Sequence, residues 1–119
     1  MLNQEVSEIF RKMGEILQYL GNPGDAFKIR AFINVSATIA EANESMDVLV
    51  KEGRVRTIPG VGQGIAMKIE EYVRTGKIME FELMKCLVPE GFFDMLAVPF
   101  LGPKKIRVLH DSLGVKTVE

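Results

Sequence analysis

The sequence predicts an all-α fold, a small helical domain built around two helix–turn–helix units. Three observations predict it. Apolar residues recur at intervals of three and four in one segment after another, the period of a helix with one buried face. The single β-prone stretch, "RVRTI" at 54–58, has no second stretch to pair with, and a lone strand has no ladder to complete. Finally, "IPGVGQGIAMKI" and "VPFLGPKKIRVL" align across a separation of 40 residues. Pro59 then matches Pro99, Val61 matches Leu101, Gly62 matches Gly102, Ala66 matches Ile106 and Ile69 matches Leu109. Two copies suggest a pseudo-symmetric pair, since a solenoid needs at least three.

Each element has its own warrant. Val6, Ile9, Phe10, Met13, Ile16, Leu17 and Leu20 mark a first helix, with Asn3 as N-cap and Gly21 as its stop. After "GNPGD", Asp25 caps a second helix from about Ala26 to Ala40. Its expected stripe is Phe27, Ala31, Val35 and Ile39, with Lys28 and Arg30 off centre. Ser45 caps a short helix through Lys51, and Gly53 stops it. "RVRTI" reads as an extended lead into the first Pro/Gly turn. From Gln63 or Gly64, the residues Ile65, Ala66, Ile69, Tyr72 and Val73 mark a helix ending at Gly76. Residues 78–87 form another short helix, and Phe92, Phe93, Leu96 and Ala97 about one further turn. The last helix runs from about Pro103 to Leu113, closed by Gly114; proline suits a first helical turn.

Composition excludes several function classes. No stretch approaches the roughly 20 apolar residues of a membrane helix, and "MLNQEVSEIF" is no secretory signal. Cys86 is the only cysteine and His110 the only histidine, so neither a disulfide framework nor a zinc cluster can be assembled. A cytoplasmic protein is expected. Cys86 reads as a small buried apolar residue, the seven methionines as core filler and His110 as a polar surface group. Net charge is −1, but it is unevenly spread. Residues 51–77 hold six basic against three acidic groups, and residues 98–116 hold four against one. Residues 1–50 and 78–97 are acidic, each by three charges. Each basic island contains one Pro/Gly turn.

Glycine turns that open helices hold phosphate well. Without a Cβ the backbone can be approached closely, and the N–H groups of the next helix's first turn lack partners. A P-loop is excluded, because Gly-x-x-x-x-Gly-Lys-Ser/Thr does not occur. A dinucleotide fingerprint lacks its parallel sheet. A purely structural helix connection accounts for one such turn. Two of them in basic islands favour a repeating phosphate target, the backbone of a nucleic acid.

"IPGVGQGIAMKI" resembles the helix-hairpin-helix motif. The ordered set "FKIRAF", "IPGVGQGIAMKIEEYVRTGKI", "VPEG", "GPKK" and "LG" resembles the N-terminal region of family X DNA polymerases. That resemblance assigns residues 1–80 to a lyase-like domain with the first hairpin, and 81–119 to connecting helices and the second. It implies DNA as partner, at gaps, nicks or 5′-phosphorylated ends in repair, together with other repair proteins. It places a Schiff-base lysine at Lys68 and a 5′-phosphate-binding lysine at Lys28. It also implies DNA contacts from Phe32, Gly60, Val61, Gly62, Gly64, Gly102, Lys104 and Lys105. No cofactor is required by it beyond a monovalent cation, Na⁺ or K⁺, on the carbonyls of Arg56, Ile58 and Val61. Three positions depart from the family pattern: Phe32 replaces a tyrosine, Gly64 a lysine and Phe100 a glycine.

The implied activity is a 5′-deoxyribose phosphate lyase. A neutral lysine amine forms an imine with the C1′ aldehyde, and β-elimination then expels the phosphate ester. Lys68 lies at the flank of the face defined by Ile65, Ala66, Ile69 and Val73, with Glu71 placed to pair with it. Polymerisation needs paired carboxylates for Mg²⁺, and no Asp-x-Asp occurs. The chain ends at "LGVKTVE", where the family continues into its catalytic domain. A stand-alone relic and a piece of a longer polymerase both fit. A non-catalytic DNA-binding module and a helical protein-interaction domain remain as alternatives.

Overall fold

A computed structural model describes residues 2–112, which form seven α-helices joined by short turns. In chain order these are α1 (Leu2–Leu20), α2 (Ala26–Ala40), α3 (Met46–Lys51) and α4 (Gln63–Thr75). They are followed by α5 (Met79–Met84), α6 (Phe92–Leu96) and α7 (Pro103–Ser112). Single 3-10 turns lie at Pro23–Asp25, Val55–Thr57 and Lys85–Leu87. No strand occurs among the described residues, so the fold is all-α. "RVRTI" is a 3-10 turn rather than an extended lead. The Thr57 hydroxyl and N–H both return to the Arg54 carbonyl, at 2.6 and 3.0 Å, and only Ile58 is extended. Leu113 and Gly114, the expected end of the last helix, lie outside the described residues.

Helix α1 is the axis of the packing, in contact with α2, α3, α5 and α7. Its predicted stripe is confirmed: Val6, Phe10, Met13, Ile16 and Leu17 are buried. Helix α2 lies antiparallel against it along a seam of small residues. The Ser7 hydroxyl donates to the Ser36 carbonyl at 2.7 Å, and the Ser36 hydroxyl donates to the Ser7 carbonyl at 2.8 Å. One turn on, Phe10 and Phe32 meet with ring centroids 5.8 Å apart. At Gly14 even a methyl group would strike Ile33 Cδ1, at 2.8 Å.

The buried face of α2 is the expected one only in its second half: Val35 and Ile39 are buried, Ala31 is half-buried, and Phe27 is 78% exposed, while Phe32 and Ser36 complete the face. Residues spaced strictly by four drift about 40° per step around a helix, so the stripe through Val35 and Ile39 has left the seam by Phe27. The i, i+3, i+4, i+7 set beginning at Phe32 stays on it. Asp25 occupies the N-cap position of α2 without a side-chain bond to the helix.

Asn3 is a second correction. It lies inside α1 and caps a different helix. Its side-chain oxygen accepts the Met46 N–H at 2.8 Å, and its amide donates to the Glu44 carbonyl at 2.9 Å. Asn3 thereby fastens the start of α3 to the start of α1. Ser45 holds the N-cap position of α3, but its hydroxyl turns to Asp47 and holds that carboxyl below the usual carboxylate range. Gly21, Gly53 and Gly76 end their helices at positive φ, as expected.

Arg54 stands just before the first hairpin. It grips Glu44 through two nitrogens, at 3.1 and 2.8 Å, and Glu52 through Nε at 2.9 Å. The guanidinium holds the Glu44 carboxyl below its ordinary range.

Two outcomes are expected. Asn3→Ala leaves the buried Met46 N–H without its partner and lowers stability by about 1–3 kcal/mol, seen as a lower urea midpoint at unchanged slope. Glu44, with its lowered value, contributes fully above the ordinary glutamate range and loses that contribution as pH falls through its folded value. In Arg54→Ala its carboxyl, followed by carbon-13 NMR, should titrate upward, toward the ordinary glutamate range.

Candidate nucleic-acid interface

The first hairpin is held from inside and open outside. Ile58 and Val61 are buried, and the Val61 N–H donates to the Ile58 carbonyl at 3.1 Å, closing the turn. Gly60 sits at φ 86°, and Gly62 is extended at the N-cap of α4. The Ala66 N–H takes the Gly62 carbonyl at 2.9 Å, and no side chain caps this helix start. The N–H groups of Gln63, Gly64 and Ile65 therefore precede the first helical donor, that of Ala66, and remain for a ligand.

The glycines are not equivalent. Gly60 is favoured by its positive φ. Gly62 is not in that region, and a Cβ at Gly62 or Gly64 would meet nothing within 4 Å. A helical glycine costs about 0.5–1 kcal/mol relative to alanine. At Gly64 the fold itself asks for no glycine, whereas at Gly62 the N-cap position prefers it to alanine. What their bareness leaves open is the approach to the backbone from outside.

The second hairpin repeats this geometry. The Leu101 N–H donates to the Val98 carbonyl at 3.1 Å, and the Ile106 N–H to the Gly102 carbonyl at 3.0 Å. Phe100 takes Gly60's place at φ 69°, the one non-glycine at positive φ among the described residues. Its departure from glycine leaves the turn intact and is carried as strain, about 1–2 kcal/mol. Ile106 is buried as Ala66 is, whereas Leu109 is half-exposed where its counterpart Ile69 is buried. Lys104 and Lys105 are exposed on the first turn of α7. Arg107 turns inward, 5.2 Å from the Tyr19 ring centroid, and pairs with Asp111 at 3.0 Å.

The two lysines marked by the family resemblance converge on one carboxylate. Lys68 is half-buried, its side chain 19% exposed, and its Nζ lies 3.2 Å from Glu80 Oε1. Lys28 Nζ lies 3.7 Å from Glu80 Oε2. Glu80, in the first turn of α5, thus holds an anion between ammonium groups from α2 and α4. Glu71, expected to pair with Lys68, instead accepts the Met79 N–H at 2.9 Å and caps α5. Phe32 is 2% exposed and packs on Phe10, with the Lys28 ammonium 5.9 Å from its ring centroid. Its ring is therefore a support beneath Lys28 and no contact surface for DNA.

Glu80 is the site residue that sequence reasoning missed. The signal was the acidic island at 78–97, which follows the first basic one. Other expectations need correction. Cys86 is exposed on the 3-10 turn after α5, because this turn leaves the core at Met84. Met13, Met46 and Met84 are core residues, but Met67 and Met79 are exposed. His110 is half-exposed beside Asp111, at 3.7 Å. Among the described residues no cluster of His, Cys, Asp or Glu could hold a metal, and no helix is long and apolar enough to cross a membrane.

The carbonyls of Arg56, Ile58 and Val61 all belong to the hairpin segment. They are neutral oxygen donors, the chemistry that suits a hard cation. The Ile58 carbonyl keeps a second lone pair after accepting the Val61 N–H.

Comparison with known proteins agrees with this geometry. A family model described as "Helix-hairpin-helix domain" matches residues 1–78. The chain belongs to the helix-hairpin-helix domain family. It is also 33% identical over 113 residues to the DNA polymerase/3′-5′ exonuclease PolX of Bacillus subtilis (strain 168). That match covers 94% of this chain and 19% of the relative, so the chain spans about a fifth of that protein's length. The likeness to the helix-hairpin-helix region of family X DNA polymerases is thereby established.

The contrast between the glycines gives a stability prediction. Gly60→Ala should cost about 1 kcal/mol, while Gly64→Ala, inside α4, should melt no lower than the wild type. Thermal unfolding followed by circular dichroism checks both.

Proposed function

We propose that this domain binds DNA through its backbone phosphates, without reading base sequence, at gaps, nicks or 5′-phosphorylated ends during repair. The observation that carries this reading is the pair of hairpins. Both have the same turn geometry, and each is followed by a helix start in a basic stretch. Phosphates seat on such helix starts through N–H groups and the helix dipole. Lys104 and Lys105 supply charge at the second.

Lyase chemistry at Lys68 is the enzymatic part of the proposal. Its amine, once neutral, adds to the C1′ aldehyde of a 5′-deoxyribose phosphate, and loss of water gives an imine. A C2′ proton then leaves to water, and the C3′–O bond breaks. The DNA departs with its own 5′-phosphate. Hydrolysis of the imine frees the lysine and the sugar fragment. Glu80 must be displaced first, because its carboxylate holds the anion position between Lys28 and Lys68. A terminal phosphate carries about −1.5 to −2 charges near neutrality, against one for a phosphodiester or for Glu80. The exchange therefore favours a 5′-phosphate end. A monovalent cation held by Arg56, Ile58 and Val61 would add positive charge beside the first hairpin's phosphate.

Borohydride trapping on incised abasic DNA tests the enzyme. The wild type should yield a covalent protein–DNA band that Lys68→Ala lacks. No band, with DNA still shifted in a parallel gel, would make the domain a non-catalytic clamp. Loss of Gly64's family cation and of the Phe32 hydroxyl favours that second reading. Glu80→Gln should bind 5′-phosphorylated gapped DNA about two- to fivefold tighter, the range of one exposed ion pair. Affinity should also fall steeply with salt; salt-insensitive binding to a protein would favour an interaction domain instead.

A further inference from the structure

Phe100 projects from the tip of the second hairpin with its ring 91% exposed and its φ at 69°. Phenylalanine is among the residues most often buried, and the left-handed region disfavours any side chain. The turn does not require it, since Gly60 closes the first hairpin in the same way without one. No core contact compensates for an exposed ring. Lys104 and Lys105 are exposed nearby on α7, and neither is paired with a carboxylate among the described residues. Phe27, also exposed, sits instead on a relaxed helix beside Lys28, whose charge is taken by Glu80.

We propose that Phe100 stacks on an unpaired or terminal base of DNA while Lys104 and Lys105 hold the adjoining phosphates. An aromatic face flanked by cations is the chemistry of single-strand recognition, and it tolerates any sequence because every base has a π-face. The inference rests on the DNA-binding reading above and deepens it. The first hairpin, bare at its tip, touches phosphate alone. The second adds a platform that an intact, fully stacked duplex cannot use. Gapped or frayed DNA is therefore its substrate class.

The chain contains no tryptophan, so Phe100→Trp creates a single indole reporter at the tip. Its emission should be quenched by oligothymidylate and by a gapped duplex. A backbone of abasic tetrahydrofuran units should bind without quenching. Phe100→Gly relieves the backbone and should melt no lower than the wild type. It should nevertheless lose about five- to a hundredfold in affinity for gapped DNA, with affinity for the abasic backbone unchanged. Equal affinity of Phe100→Gly and wild type for gapped DNA would overturn stacking and leave phosphate binding standing. Failure of the wild type to bind even the abasic backbone would overturn both. Loss of self-association in Phe100→Gly, with DNA binding unchanged, would assign the ring to a second copy of the chain.

Discussion

The close approach of α1 and α2 is the constraint on which the remainder rests. It needs small residues at the seam, supplied by Ser7, Gly14 and Ser36, and it satisfies two buried hydroxyls by reciprocal donation to the opposite backbone. A side chain at Gly14 would meet the end of Ile33 and require it to shift. With the seam closed, Phe32 reaches Phe10, and Lys28 extends from the supported side of that ring. The other surfaces of α1 receive α5 and α7. Tyr72 donates to Glu5 at 2.6 Å and ties α4 to α1; that bond, with burial, pushes the phenol up. Lys68 lies one turn before Tyr72, on the same side of α4. The rotation of α4, and so the direction of Lys68, follows from burial of Ala66 and Ile69, with the Tyr72 bond as a tether to the first helix.

Most of the fold could be read in the sequence because its punctuation is local. Gly21, Gly53 and Gly76 stop helices by adopting positive φ, a property of single residues. Asn3 shows where this fails. An asparagine near a chain start has the composition of a local cap, but its acceptor is used 43 residues away, at Met46. Nothing in its neighbourhood marks that destination. Ser7 and Ser36 look like ordinary polar interruptions for the same reason: their value lies in a seam that exists only after packing. Phe27 and Phe32 both fit an amphipathic helix, and the seam alone decides which of them is buried.

The site divides along the same line. Each hairpin is one continuous segment, so its turn, anchor residues and open helix start are written in order. Lys28, Lys68 and Glu80 come from three helices, and their meeting depends on how α2, α4 and α5 pack. Spacing along α4 correctly put Lys68 at the flank of the buried face, yet offered Glu71 as its partner. The cap of α5 took Glu71 first, since an uncapped N–H at a helix start is a strong local demand. Charge clustering held the missing clue, because an acidic island beside a basic one is a source of such pairs.

The two hairpins together separate the reasons a turn can contain glycine. At Gly60 and Phe100 the backbone occupies the same left-handed region, once without a side chain and once with one. Conformation therefore favours glycine there without dictating it; the penalty is small enough for the second hairpin to carry. Gly62 holds the N-cap of α4, a position that prefers glycine to alanine; at Gly64, inside the helix, there is neither positive φ nor a crowding neighbour, so conformation and packing both fail to account for glycine. What remains is access from outside. The fold tolerates the entropy of a glycine inside α4, beside N–H groups that no side chain caps, and the group that fits such a helix start is an oxyanion arriving from solvent.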